Sequence, residues 1–108
     1  MTVATVQAST ERGSVCISLS GEIDLANAAA VEEEILAAIS DQPTAVSVDL
    51  TDLTYISSAG IRILFALASR LRESHVVLEL LAPRDSPTRR LIELSGLEAL
   101  ARLAPRKK

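Results

Sequence analysis

Two adjacent serines, Ser57 and Ser58, are the residues best placed to do chemistry in this chain. They fall within Val48-Asp49-Leu50-Thr51-Asp52-Leu53-Thr54-Tyr55-Ile56-Ser57-Ser58-Ala59-Gly60-Ile61-Arg62-Ile63-Leu64, where a buried strand ends in a short loop that delivers both hydroxyls to the start of an amphipathic helix. A serine there can cap the helix by accepting from a first-turn N–H, a contribution of about 1 kcal/mol, with Gly60 serving only close packing. It can equally accept a phosphate. Unpaired N–H groups and the helix dipole favour negative charge at this end, and a phosphoserine adds close to about two negative charges and three acceptor oxygens. That is the chemistry of a switch, not of an active site. The residues alone leave cap and switch both open.

No other group of side chains assembles into a reactive centre. The single histidine, His75, and the single cysteine, Cys16, stand 59 positions apart, so clustered metal ligands and a disulfide framework are not expected. His75 reads as a half-exposed imidazole opening a strand, and Cys16 as a small residue in mid-strand. A Ser/His/Asp arrangement would have to use His75, and no glycine-flanked nucleophile elbow is present. The four glycines, at 13, 21, 60 and 96, form neither phosphate-binding loop pattern. Glu32, Glu33 and Glu34 are consecutive on a helix, point in different directions and read as a solvated face. No catalytic activity and no cofactor is expected.

Composition points the same way. The chain has 108 residues, is 48% hydrophobic and holds only two aromatic residues, Tyr55 and Phe65. One domain spanning residues 1–108 with an aliphatic core follows, with a core of about residues 3–103 and a frayed basic tail over 104–108. Few aromatics and a net charge of -3 argue against direct nucleic-acid binding. Residues 1–54 carry nine acidic groups and one basic group (-8), whereas residues 55–108 carry five acidic and ten basic (+5), a polarity that can steer a partner. No apolar run reaches the roughly 18 residues of a membrane span, and no basic leader precedes Arg12. A cytoplasmic protein without membrane insertion is expected.

The elements that must position the serines can be read from periodicity. Val3 to Gln7 and Val15 to Leu19 alternate as strands around a turn over residues 10–14. Ala28, Val31, Ile35 and Ile39 repeat at helical spacing, and Asp41-Gln42-Pro43 ends that helix. Ala45 to Leu50 reads as a central strand. Ile61, Leu64, Phe65, Ala68 and Leu71 form the apolar stripe of the helix after the serines, with Phe65 expected to anchor it to the sheet and Tyr55 to fix the departure of the loop. Val76 to Leu81 is a further strand, and Ser86-Pro87 opens a helix that runs to about Leu94 and closes at Ser95-Gly96. Leu97, Leu100 and Leu103 are helically spaced over a run too short to assign. The expected fold is α/β, a single domain with a mixed sheet of four to five strands, its first strand antiparallel and its helices mainly on one face.

Gly21-Glu22-Ile23-Asp24, the strand ending Val48-Asp49-Leu50, Tyr55 to Leu64, and Arg89-Arg90-Leu91-Ile92-Glu93-Leu94-Ser95-Gly96-Leu97 together resemble a STAS domain of the anti-sigma-factor antagonist type, over about Val3 to Leu103. The resemblance implies a protein that, unphosphorylated, binds an anti-sigma factor with serine kinase activity and so releases the sigma factor. Phosphorylation of a loop serine then ends the binding. The family loop, commonly Asp-Ser-Ser/Thr-Gly, falls on Ser57-Ser58-Ala59-Gly60, which makes Ser58 the implied phosphoacceptor and Ser57 the second choice. Ser57 stands where the family has Asp, and Ala59 replaces a second hydroxyl. Asp24 matches the family's acidic residue beside the partner surface, and the implied contact set is Asp24, Ser57, Ser58, Ala59, Gly60, Ile61 and Arg62. A monomer or weak dimer is expected. Other members of the fold suggest two alternatives, a subunit docking on the ATPase of an ABC-type lipid transporter and a component of a stress-signalling scaffold.

Overall fold

The computed structural model describes residues 3–39 and 42–105. Strands β1 (Ala4–Glu11) and β2 (Ser14–Ile23) form an antiparallel hairpin closed by Arg12 and Gly13, both at positive φ, 54° and 83°. Two successive positive φ values make a primed turn whose twist suits the flanking strands. The expected five-residue turn is thus shortened to two residues. The chain continues through α1 (Ala28–Ala38), β3 (Ala45–Ile56), α2 (Ser58–Glu73), β4 (Leu78–Leu81), α3 (Pro87–Ser95), a short 3-10 turn (Leu97–Ala99) and β5 (Ala101–Ala104).

The five strands lie in the order β1-β2-β3-β4-β5, with β1 antiparallel and all other neighbours parallel. Each parallel step is a crossover through a helix, and crossovers of one hand in one direction leave their helices on one face. Burial agrees with this. Val15, Ile17 and Leu19 of β2, Val46, Val48 and Leu50 of β3, and Leu78 and Leu80 of β4 are all buried, as are Val31 and Ile35 of α1 and Ile92 of α3. The alternate residues, among them Cys16, Ser18, Ser47, Asp49 and Arg102, are half-buried or exposed on the other face. Mixed topology and helices on one side are as the sequence indicates.

Several boundaries differ from the sequence reading. β3 runs on past Leu50 to Ile56, because Leu53 and Ile56 continue its buried face while two register shifts against β2 hide the alternation. The segment expected as loop is therefore strand, and a single residue, Ser57, separates it from α2. β4 pairs only as far as Asp49, and beyond that point α3 supports β3, where the buried Thr88 hydroxyl donates to the Leu53 carbonyl at 3.5 Å. At the C-terminus the leucine-spaced run divides into the 3-10 turn and β5, so Ala104 lies in the sheet instead of a frayed tail. Residues 106–108, and Asp41 at the expected end of α1, lie outside the described residues. Finally, His75 does not open a strand: it is an exposed residue at φ 62° in the turn after α2, where its N–H donates to the Arg72 carbonyl at 3.0 Å.

The stripe of α2 is rotated from the expected one. Ile63, Leu64, Leu67, Ala68 and Leu71 are buried, whereas Ile61 and Phe65 are only partly buried against the core. Aliphatic residues, not Phe65, seat the helix on the sheet.

Candidate functional site

The site lies where β2 and β3 end together. Ile23 and Ile56 are register partners, and the next residue on each strand is Asp24 or Ser57. The Ser57 N–H donates to the Ile23 carbonyl at 2.9 Å, tying the two exits together. Neighbouring strands are about 4.8 Å apart, so the loop carrying Asp24 and the start of α2 emerge side by side. This is the carboxyl end of a parallel pair, where open α/β sheets present their binding loops.

Ser57 and Ser58 differ sharply in environment. Ser57 holds the N-cap position of α2 at φ -87° and ψ 177°, yet its side chain makes no capping hydrogen bond. Its Oγ is buried without a hydrogen-bond partner. Ser58, the first residue of the helix, is exposed. The simple capping role open at the level of sequence is therefore filled by neither hydroxyl in the expected way. The first intrahelical bond is Ile61 N–H to the Ser57 carbonyl at 3.0 Å, so the N–H groups of Ser58, Ala59 and Gly60 lack helical acceptors and face outward from the helix start.

Close approach of α2 to the sheet sets the position of this turn. Gly60 is buried, and a Cβ placed there would stand 2.5 Å from Ile56 Cγ1 and 3.0 Å from Ile23 Cγ2. Only glycine lets the first turn lie directly on the two strand ends. Ala59 is partly buried, and Arg62 is exposed one turn further along.

Asp24 has a structural task that the sequence reading missed. Its Oδ1 accepts from the N–H groups of Ala26 at 2.9 Å and Asn27 at 3.3 Å, while Asn27 Oδ1 accepts from the Asp24 N–H at 2.9 Å. Asn27 Nδ2 also donates to the Glu22 carbonyl at 2.9 Å. This reciprocal pair closes the turn over residues 24–27 that leads into α1, and the Asp-x-x-Asn spacing was its signal. Tyr55, expected to fix the loop, is instead a strand residue with half its surface exposed, 50%, on the side opposite Ile56. The residues named from sequence are brought together at one end of the molecule, and Leu25, 83% exposed, follows Asp24 in the same loop.

The site is carried by a one-sided mixed sheet that presents two loops and a helix start, and no cluster of potential metal ligands is found among the described residues. No described helix is long and apolar enough to cross a membrane. Residues 6–104 match the family model described as "Mlab, STAS domain", and the chain belongs to the STAS domain family. It is 40% identical over 99 residues to the anti-sigma-F factor antagonist RsfB of Mycobacterium tuberculosis, covering 92% of this chain and 80% of that protein. A crystal structure of an anti-sigma factor antagonist from Mycobacterium paratuberculosis superposes with a TM-score of 0.84 at 33% identity, covering 95% of this chain and 86% of the other. The Bacillus protein SpoIIAA shares the fold at lower identity. Its unphosphorylated form gives 19%, a TM-score of 0.68 and coverage of 95% and 90%, and its phosphorylated form 22%, 0.54, and 93% and 91%.

Proposed function

We propose that this protein is an anti-sigma factor antagonist, a non-catalytic partner-switching module. The observation that carries the reading is 40% identity to an anti-sigma-F factor antagonist across 92% of the chain. Unphosphorylated, the protein binds an anti-sigma factor with serine kinase activity through Asp24 and the Ser57 to Arg62 segment and frees the sigma factor in the cytoplasm.

Ser58 is the phosphoacceptor. Its exposure supports the assignment, and the buried Oγ of Ser57 argues against the alternative. In the transfer, Ser58 Oγ forms a bond to the γ-phosphorus of ATP, the bond from that phosphorus to ADP breaks, and the hydroxyl proton leaves to a base of the kinase. The product sits over the free N–H groups of the first turn and the positive end of the helix dipole, so α2 need not unfold to hold it. What changes is the surface: about two negative charges appear near Asp24, where the Ser58 hydroxyl carried none.

The test is a binding titration with the purified anti-sigma factor. Ser58→Ala is expected to bind like wild type and to gain no mass with ATP, while Ser58→Asp loses at least about tenfold in affinity, or about 1.4 kcal/mol. Equal binding by all three proteins would remove the switch.

A further inference from the structure

A groove runs from the serine end of the molecule along the full length of the seam between α1 and α2. Three depressions form it, and they are continuous: the first shares Glu32, Ile63 and Ala66 with the second, and the second shares Leu36, Leu67 and Arg70 with the third. Its floor is apolar, built from Ala28, Ile35, Ile63 and Leu67, all buried. Exposed leucines stand at its rim, Leu25 at the serine end and Leu36, 37% exposed, further along.

The banks differ in charge. α1 contributes Glu32, while α2 contributes the exposed Arg62 and Arg70. Among the described residues these three side chains take part in no ion pair and no hydrogen bond. An apolar seam with exposed leucines at its rim, flanked by charges with no partner inside the molecule, is the pattern of a groove that receives a helix. At 1.5 Å per residue, α1 with 11 residues and α2 with 16 residues offer a seam of about 16 to 24 Å, or three to four helical turns.

We infer that this seam receives an amphipathic helix of the anti-sigma factor, apolar on the face laid into the groove and acidic along the flank that meets Arg62 and Arg70. The inference rests on the anti-sigma factor being the partner, and it extends the contact well beyond the serine loop. Unlike charges on the two banks give the helix one preferred direction, with a basic residue of the helix facing Glu32. The Ser58 end of the groove is then its entrance. Arg70 lies 12 residues beyond Ser58, about 18 Å along the helix, too far to be reached by a partner that touches only the loop.

The experiment compares Arg70→Glu and the uncharged Leu36→Gln with wild type and Ser58→Asp, by calorimetric titration of the purified anti-sigma factor that wild type binds. Thermal unfolding confirms that each variant is folded, both positions being exposed. The expected result is a loss of at least tenfold for Arg70→Glu and at least fivefold for Leu36→Gln. Reversal of an acidic residue on the partner helix should restore binding to Arg70→Glu. If both groove variants bind within twofold of wild type while Ser58→Asp does not, contact is confined to the loop: the groove proposal is overturned and the switch stands. A loss in Arg70→Glu alone, abolished by salt, would reflect long-range steering and also overturns it. If wild type binds no anti-sigma factor, both readings fall.

Discussion

Replacing Gly60 by alanine is the sharpest perturbation of the way α2 is seated. At an open helical position the change stabilises by about 1 kcal/mol, since alanine has the better helix propensity. Here the new methyl would lie 2.5 Å from Ile56 Cγ1 and 3.0 Å from Ile56 Cδ1 and Ile23 Cγ2. Carbon atoms pack at about 3.5–4.0 Å, so α2 or the two isoleucines must shift by about 1 Å. Both isoleucines are only 2% exposed, and each ends a strand that carries part of the site. Overpacking of this kind costs typically about 1–3 kcal/mol, which outweighs the propensity gain and leaves a net loss of about 1 kcal/mol. In a domain of this size that lowers Tm by about 4 °C, readable by circular dichroism. The same shift moves Ser58 relative to Asp24, so affinity for the anti-sigma factor should fall as well. A Tm equal to or above that of wild type would refute the reasoning, because it would mean that the first turn does not lie against Ile23 and Ile56.

Two further expectations follow from the core and from the start of α1. Leu64→Ala, at a position 1% exposed, should destabilise by about 2–5 kcal/mol, and Phe65→Ala by less, as measured by urea unfolding; the opposite order would restore Phe65 as the anchor of α2. Asp24→Ala should lose about 1 kcal/mol through the acceptor missing from the turn ahead of α1, whereas Asp24→Asn keeps an acceptor for Ala26 and Asn27 and should lose less. In the Asp24→Asn protein, phosphate on Ser58 should weaken partner binding less than it does in wild type, and an unchanged loss would show that the charge of Asp24 plays no part in the switch.

The alternating strands, the helix caps at Ser86-Pro87 and Gly96, and the amphipathic helix after the serines were legible because each depends on neighbours in sequence. What escaped depended on distant groups. The second half of β3 is strand because β2 and α3 hold it, while Thr51, Asp52 and Thr54 taken alone read as loop. β5 exists because β4 offers it an edge, and its leucines had helical spacing. The contrast between Ser57 and Ser58 arises from the Ile23 carbonyl drawing the Ser57 backbone inward, a contact across 34 positions that no local pattern announces. Phe65 was overvalued because a large ring in a stripe suggests an anchor, and here the smaller aliphatic residues reach the sheet first.

The hairpin that begins the chain has a practical consequence for studying the protein. Because Ala4 pairs with Gly21 and the Val3 carbonyl accepts from the Glu22 N–H at 3.0 Å, the described N-terminal end lies beside Asp24. Ala104, in contrast, is aligned through Leu81 with Asp49, seven residues short of Ile56 on β3, or about 23 Å along the strand. An affinity handle, fluorophore or surface tether joined ahead of Val3 would crowd the recognition loops and mimic a loss of binding. The same attachment after Ala104, or at the Arg12-Gly13 turn some ten residues away along β2, would leave them open to a partner.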